Sequence, residues 1–136
     1  MQDTFFDWPV RVYYEDTDAA GVVYYANYLR YMERARTEWL RALGWEQDAM
    51  REKLGVVFVV AAVEAKYRLP ARLDDALVVR CRVESLKKAS LVFSQDVMRG
   101  DEVLVHALIK CGTLDFATMR PTAMPETLFK QLNELQ

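Results

Sequence analysis

"NYLRYMERARTEWLRALG", residues 27 to 44, carries a sustained helical period. Tyr28, Met32, Ala35, Trp39 and Leu43 recur at three and four residues, and Leu29, Tyr31 and Leu40 widen the stripe. Arg30, Arg34 and Glu38 fall nearer the polar side. A face this broad predicts a heavily buried helix. Asn27 stands where an N-cap belongs and Gly44 where a helix stops.

Outward from this helix the pattern changes. "WEQDAMREKLG" (45–55) predicts a second, short helix ending at Gly55. On the N-terminal side, "PVRVYYE" (9–15) alternates and predicts a first strand whose start is marked by Pro9. On the C-terminal side, residues 56–69 predict one long strand, central and buried at first and half-exposed later. "PARLDD" (70–75) is a turn, 76–85 and 90–98 alternate as strands, and "RGDE" (99–102) is a hairpin turn before a last long strand at 103–116. Residues 125–136 read as a short amphipathic helix with Leu128, Leu132 and Leu135 on one stripe. Short turns make the late strands antiparallel neighbours. One long apolar helix against one antiparallel sheet is an α+β two-layer fold, and a sheet wrapped around a central helix resembles the hotdog architecture.

The chain has 136 residues, which predicts one domain spanning 1–136 with a core that needs no metal or disulfide. A net charge of −2 argues against a general polyanion binder, so no nucleic-acid partner is expected. No apolar run approaches transmembrane length, and the acidic N-terminus lacks a secretory pattern, so a cytoplasmic protein is expected. Cys81 and Cys111 read as reduced thiols in strands, and a single histidine offers no zinc signature.

The chemistry concentrates in "YYEDTDAAGVVYYANY" (13–28), which puts Glu15, Asp16 and Asp18 beside an apolar run at the start of the helix. A helix N-terminus leaves backbone N–H groups unpaired and carries partial positive charge, so it can stabilise an oxyanion. A carboxylate nearby can attack a carbonyl or deprotonate water. Gly21, without a Cβ, can take positive φ or let a substrate pass close. Taken alone, Asp16 and Asp18 read first as caps of the turn, and Glu15 reads as a solvated acid.

The element Y-x-D-T-D-x-x-G-V-V-Y resembles the signature of hotdog-fold acyl-CoA thioesterases of the 4-hydroxybenzoyl-CoA thioesterase type. More narrowly, residues 8–41, "FVV", "PARLDD" and "SLVFSQ" resemble the Tol-Pal-system-associated acyl-CoA thioesterases of Gram-negative bacteria, over about Trp8 to Pro125. The resemblance implies Asp18 as the catalytic carboxylate, nucleophile or base, and the backbone N–H of Tyr25 as the group that polarises the thioester. It implies Gly21 as the motif glycine and Asp16 as an orienter of the loop. Many Tol-Pal-associated members carry histidine where this chain has Tyr25. The matching basic residues of relatives bind coenzyme A phosphates, which makes Lys87, Lys88 and Ser90 in "LKKAS" (86–90) substrate-binding candidates against a plain solvated turn. No cofactor is implied, because coenzyme A enters as part of the substrate, and an acyl carrier protein is the other candidate carrier. A homodimer through edge strands, or a homotetramer, with active sites at the dimer interface, is implied as well. His106 reads as an ordinary half-buried histidine, Glu33 as a secondary acid candidate, and Tyr28, Met32 and Trp39 as core. The rival readings are a non-catalytic acyl-binding or scaffold protein of the Tol-Pal or phospholipid-synthesis machinery, and a dedicated aroyl-CoA thioesterase.

Overall fold

The computed structural model describes residues 4–136. Five antiparallel strands form one sheet in the order β1-β3-β4-β5-β2. They are β1 (Phe5–Arg11), β2 (Val56–Tyr67), β3 (Ala76–Leu86), β4 (Ser90–Arg99) and β5 (Glu102–Asp115). The helices are α1 (Asn27–Ala42), α2 (Gln47–Leu54) and α3 (Glu126–Glu134).

The stripe read from residues 27–44 is the buried face of α1: Tyr28, Tyr31, Met32, Ala35, Trp39 and Leu40 are all enclosed. Trp39 lies between Phe6 of β1 and Phe93 of β4, with ring centroids 5.9 and 6.0 Å away. The far end of α1 is held by α3. Gln131 donates to the Leu43 carbonyl at 2.9 Å and accepts from Trp45 Nε1 at 2.6 Å. Gly44 takes φ +96 just past the helix, so the stop signal holds.

Three expectations need correction. The first strand is Phe5–Arg11, not 9–15, and Tyr14–Asp16 form a 3-10 turn. Pro9 sits inside β1 because β1 is an edge, where a residue without an N–H costs no ladder bond. Asn27 is the first helical residue rather than the cap, which is Ala26. Its side chain instead donates to the Asp16 carbonyl at 2.9 Å and ties the helix start to the acid loop. Finally, β2 is not central. It is the other edge strand, paired only to β5, with Val60 50% and Val63 44% exposed. Its continuous apolar run comes from an uncovered edge, not from burial between neighbours.

A polar bolt joins α1 to the sheet. Arg36 Nη1 donates to Gln95 Oε1 at 2.8 Å, and Gln95 Nε2 donates to the Met32 carbonyl and to Cys81 Sγ, each at 3.0 Å. Both Arg36 and Gln95 are buried. Burial pushes the Cys81 thiol up to about 12, so it stays protonated and serves the bolt as a neutral partner. Gln95→Leu should cost about 3 kcal/mol, because it strands a buried cation and the Met32 carbonyl together. A drop in thermal midpoint of roughly 10 °C is the expected reading in a calorimeter.

Candidate functional site

The acid loop is a miniature hairpin. Thr17 bridges Val23, the Asp18 N–H donates to the Val22 carbonyl at 2.9 Å, and the Gly21 N–H donates back to the Asp18 carbonyl at 3.0 Å. Ala19, Ala20 and Gly21 are thus a three-residue loop whose last member takes φ +79. That pattern calls for a residue at ease in the left-handed region, which explains Gly21. Open space surrounds its Cα, so backbone conformation, not crowding, selects the glycine.

The hairpin is anchored on both sides. The Val23 N–H donates to the Ala71 carbonyl at 2.9 Å, Val22 bridges Arg72, and the Tyr28 hydroxyl accepts from the Ala71 N–H at 3.0 Å. The "PARLDD" turn is therefore a platform under the loop. Asp16 works as the orienter: its carboxylate accepts from the Tyr13 N–H at 2.8 Å, and its carbonyl accepts from the Tyr24 N–H and from Asn27. Burial first, and then Asp16, push the neighbouring Tyr31 hydroxyl well above the usual tyrosine range. Glu15 is exposed.

Asp18 differs from Asp16 in being largely uncommitted. Its carboxylate accepts one bond, from the Ala20 N–H at 2.9 Å, and otherwise faces solvent. It lies close enough to Tyr24 to help raise that hydroxyl's pKa, after the larger effect of the adjacent Tyr25 hydroxyl. One residue further on, the Tyr25 N–H donates to no acceptor among the described residues. A free carboxylate and a free N–H at a helix start thus share one rigid loop, an arrangement able to activate a nucleophile and receive an oxyanion. Tyr25 is 60% exposed. With Tyr67 at a ring separation of 6.1 Å, it borders a hollow of about 250 Å³ between α1 and the end of β2.

Lys87, Lys88 and Ser90 sit elsewhere. Lys87 and Lys88 lie in the β3–β4 turn and Ser90 opens β4; the Lys87 N–H donates to the Ser90 carbonyl at 2.8 Å and Lys88 borders a groove against Phe129 and Lys130 of α3. The Asp18 hairpin is tied to the opposite end of β3, before Ala76. Eleven residues of extended chain separate the two ends, roughly 35 Å. One chain does not bring the candidate phosphate binders to the candidate acid. His106 is half-buried and pairs with Asp96 at 2.7 Å on the outer face of the sheet.

Arg36, Gln95 and Tyr67 escaped sequence reasoning. Arg36 falls four residues after Met32 and three before Trp39, on the apolar stripe itself. Gln95 takes an inward position of β4 between Phe93 and Val97. A charge and an amide at two core positions were the available signal.

One α-helix laid across a five-stranded antiparallel sheet, with an acid hairpin at its N-terminus, defines an α+β fold of the hotdog type. The chain belongs to the thioesterase-like superfamily, whose family model matches residues 12–132. It is 43% identical to the acyl-CoA thioesterase YbgC of Haemophilus influenzae over the full length of both proteins. It is 38% identical to the acyl-CoA thioesterase YbgC of Helicobacter pylori, covering 90% of this chain and 95% of that one. Among solved structures, a probable thioesterase from Bartonella henselae superposes with a TM-score of 0.85 at 32% identity, covering 89% of this chain and 99% of that one. Among the described residues no helix is long and apolar enough to cross a membrane.

Proposed function

We propose that Asp18 is the catalytic carboxylate, and the Tyr25 N–H the oxyanion donor, of an acyl-CoA thioester hydrolase. The reaction class rests on relatives of matching length named for it. The observation that carries the residue assignment is the pairing of an uncommitted carboxylate and an unbonded N–H on one anchored hairpin. Asp18 attacks the thioester carbonyl or takes a proton from the attacking water. The Tyr25 N–H meets the developing oxyanion, aided by the helix dipole. Because the donor is backbone, tyrosine can stand where relatives carry histidine.

The site is completed by a second copy of the chain. The two sheet edges are unlike each other: β1 is short and carries Pro9, whereas β2 runs for 12 residues with exposed Val60 and Val63. Proline blunts an edge and a long apolar strand invites pairing, so β2 is the edge that joins. Antiparallel pairing of β2 with β2 of a partner subunit follows a two-fold axis and reverses the second sheet. The partner's β3–β4 turn then lies at the same end as Asp18. Lys87 and Lys88 of one subunit serve the Asp18 of the other, meeting the coenzyme A phosphates as point charges. Further association into a homotetramer, a cytoplasmic location and a link to the Tol-Pal system follow the resemblance of residues 8–41 to that group.

The test is thiol release from a panel of acyl-CoA esters, with acyl-carrier-protein esters as a second arm. Turnover is expected with at least one coenzyme A ester. A protein that binds these esters and turns over none would be the non-catalytic acyl binder instead.

A further inference from the structure

A cleft runs between α1 and the edge strand β2. At one end lies the hollow beside Tyr25 and Tyr67; further along α1 a separate trough of about 410 Å³, walled by Leu29, Val60, Val63 and Ile109, adjoins a smaller cavity of about 130 Å³ against Phe58 and Phe93, with Glu33, Arg36 and Val60 common to the last two. The walls of the trough are apolar apart from Arg30, Glu33 and Arg36.

Arg36 is an odd residue to find there. It is 92% buried, being 8% exposed, yet no carboxylate lies within ion-pair distance among the described residues. A guanidinium carries five N–H donors and this one makes a single hydrogen bond, to Gln95. The only fully enclosed side-chain polar atom without a partner among the described residues is Tyr31 Oη. The remaining Arg36 nitrogens therefore keep access to the cleft, with donors to offer. Burying a cation with donors unfilled is costly, so the site is matched to something that brings an acceptor.

We propose that Arg36 is a specificity residue that reads a hydroxyl at the distal end of the substrate's acyl group, lying in the α1–β2 cleft. This rests on the thioesterase reading above, with the acyl carbonyl at the Tyr25 N–H. Eleven residues, helical from Asn27 onward, separate Tyr25 from Arg36, about 16 Å, and the side chain leans back toward the helix start, which shortens the reach to about 11 Å. An extended chain gains roughly 1.2 Å per bond, so the hydroxyl belongs about 9 to 13 bonds from the carbonyl. Three charges border the trough, Arg30, Glu33 and Arg36, and a hydroxyl uses the mixed pair Arg36 and Glu33 better than a carboxylate does. It accepts from Arg36 and can donate to Glu33, whereas a carboxylate at the chain end would meet Glu33 as a like charge.

Binding separates this proposal from the hydrolase reading. Non-hydrolysable thioethers of coenzyme A bearing decyl, 10-hydroxydecyl and 9-carboxynonyl groups would be titrated into the native protein by calorimetry. The hydroxylated compound should bind about tenfold or more tightly than the plain one, the gain of a hydrogen bond to a charged donor. The carboxylated compound should fall between them. Arg36→Met should erase the difference and Arg36→Lys should keep part of it. Equal or weaker binding of the hydroxylated compound to the native protein overturns the proposal without any variant, as does a preference that survives in Arg36→Met. A tightest carboxylated compound overturns the choice of a hydroxyl. Loss of thiol release with the corresponding esters, alongside an intact binding preference, would instead sink the hydrolase reading and leave Arg36 its role.

Discussion

Asp18→Asn should lower the turnover of the best acyl-CoA ester by about 10²–10⁴-fold, the usual worth of a positioned acid–base group. The substitution is informative because it is nearly silent in structure. The one bond made by the Asp18 side chain is accepted by Oδ1 from the Ala20 N–H, and an asparagine carbonyl oxygen can accept the same bond. The hairpin and its Gly21 turn should therefore survive, with an unchanged thermal midpoint. Asp16→Asn is the contrasting control. The Asp16 carboxylate holds the Tyr13 N–H, and its carbonyl holds both Tyr24 and Asn27. Its amide variant should cost less activity than Asp18→Asn, since the backbone carbonyl remains. Equal turnover by native protein and Asp18→Asn would remove Asp18 from the chemistry.

The second large effect concerns which subunit supplies what. Reversing charge in Lys87→Glu/Lys88→Glu should weaken coenzyme A ester binding, raising KM well above its native value, while Asp18→Asn loses kcat. Mixed and allowed to exchange, and assayed at an ester concentration well below the raised KM, the two impaired proteins should recover activity. Each mixed dimer has one site with a native Asp18 and the native lysines of its partner, and one site with both defects. About half of the subunits pair this way at equal mixing, so about a quarter of native turnover is the expected plateau, by the geometry of a two-fold dimer. If the lysines served the Asp18 of their own chain, every site would keep one defect and mixing would restore nothing. The roughly 35 Å between the two ends of β3 is what makes the crossed arrangement the expected one. Val63→Lys, placed on the exposed part of β2, should give a monomer by sedimentation and lose turnover with it, because charge on a strand edge opposes pairing.

Much of the fold is legible in the amino-acid sequence. The period of residues 27–44 locates α1 and its buried face, because one apolar stripe has one physical use. The short turns around 87–89 and 100–101 place β3, β4 and β5 side by side. The acid motif singles out the hairpin, though its local hydrogen bonds are needed to separate Asp16, which is bound up in the loop, from Asp18, which is not. What stays hidden has a common cause. Residues 56–63 are apolar on both faces, a pattern that a central strand and an uncovered edge share, so periodicity does not distinguish burial within one chain from burial between two. Pro9 looks like a boundary because its compatibility depends on which neighbour is missing. Arg36 and Gln95 pass unnoticed because each is polar in a position whose meaning comes from the other, 59 residues away.

The unlike edges have a consequence for how far the sheet can grow in the proposed assembly. A subunit with two sticky edges would add copies without limit, as fibres do. In the proposed dimer the sheet would stop growing after a single addition, because joining would use up β2 on both members and leave only the two β1 strands outermost. Each of these carries Pro9 in its midst, together with Asp7, which is engaged with Arg80 at 2.8 Å. In that proposed ten-stranded sheet the proline would act as a chain terminator, so the same residue that disguises the extent of the first strand would keep sheets from joining into a polymer.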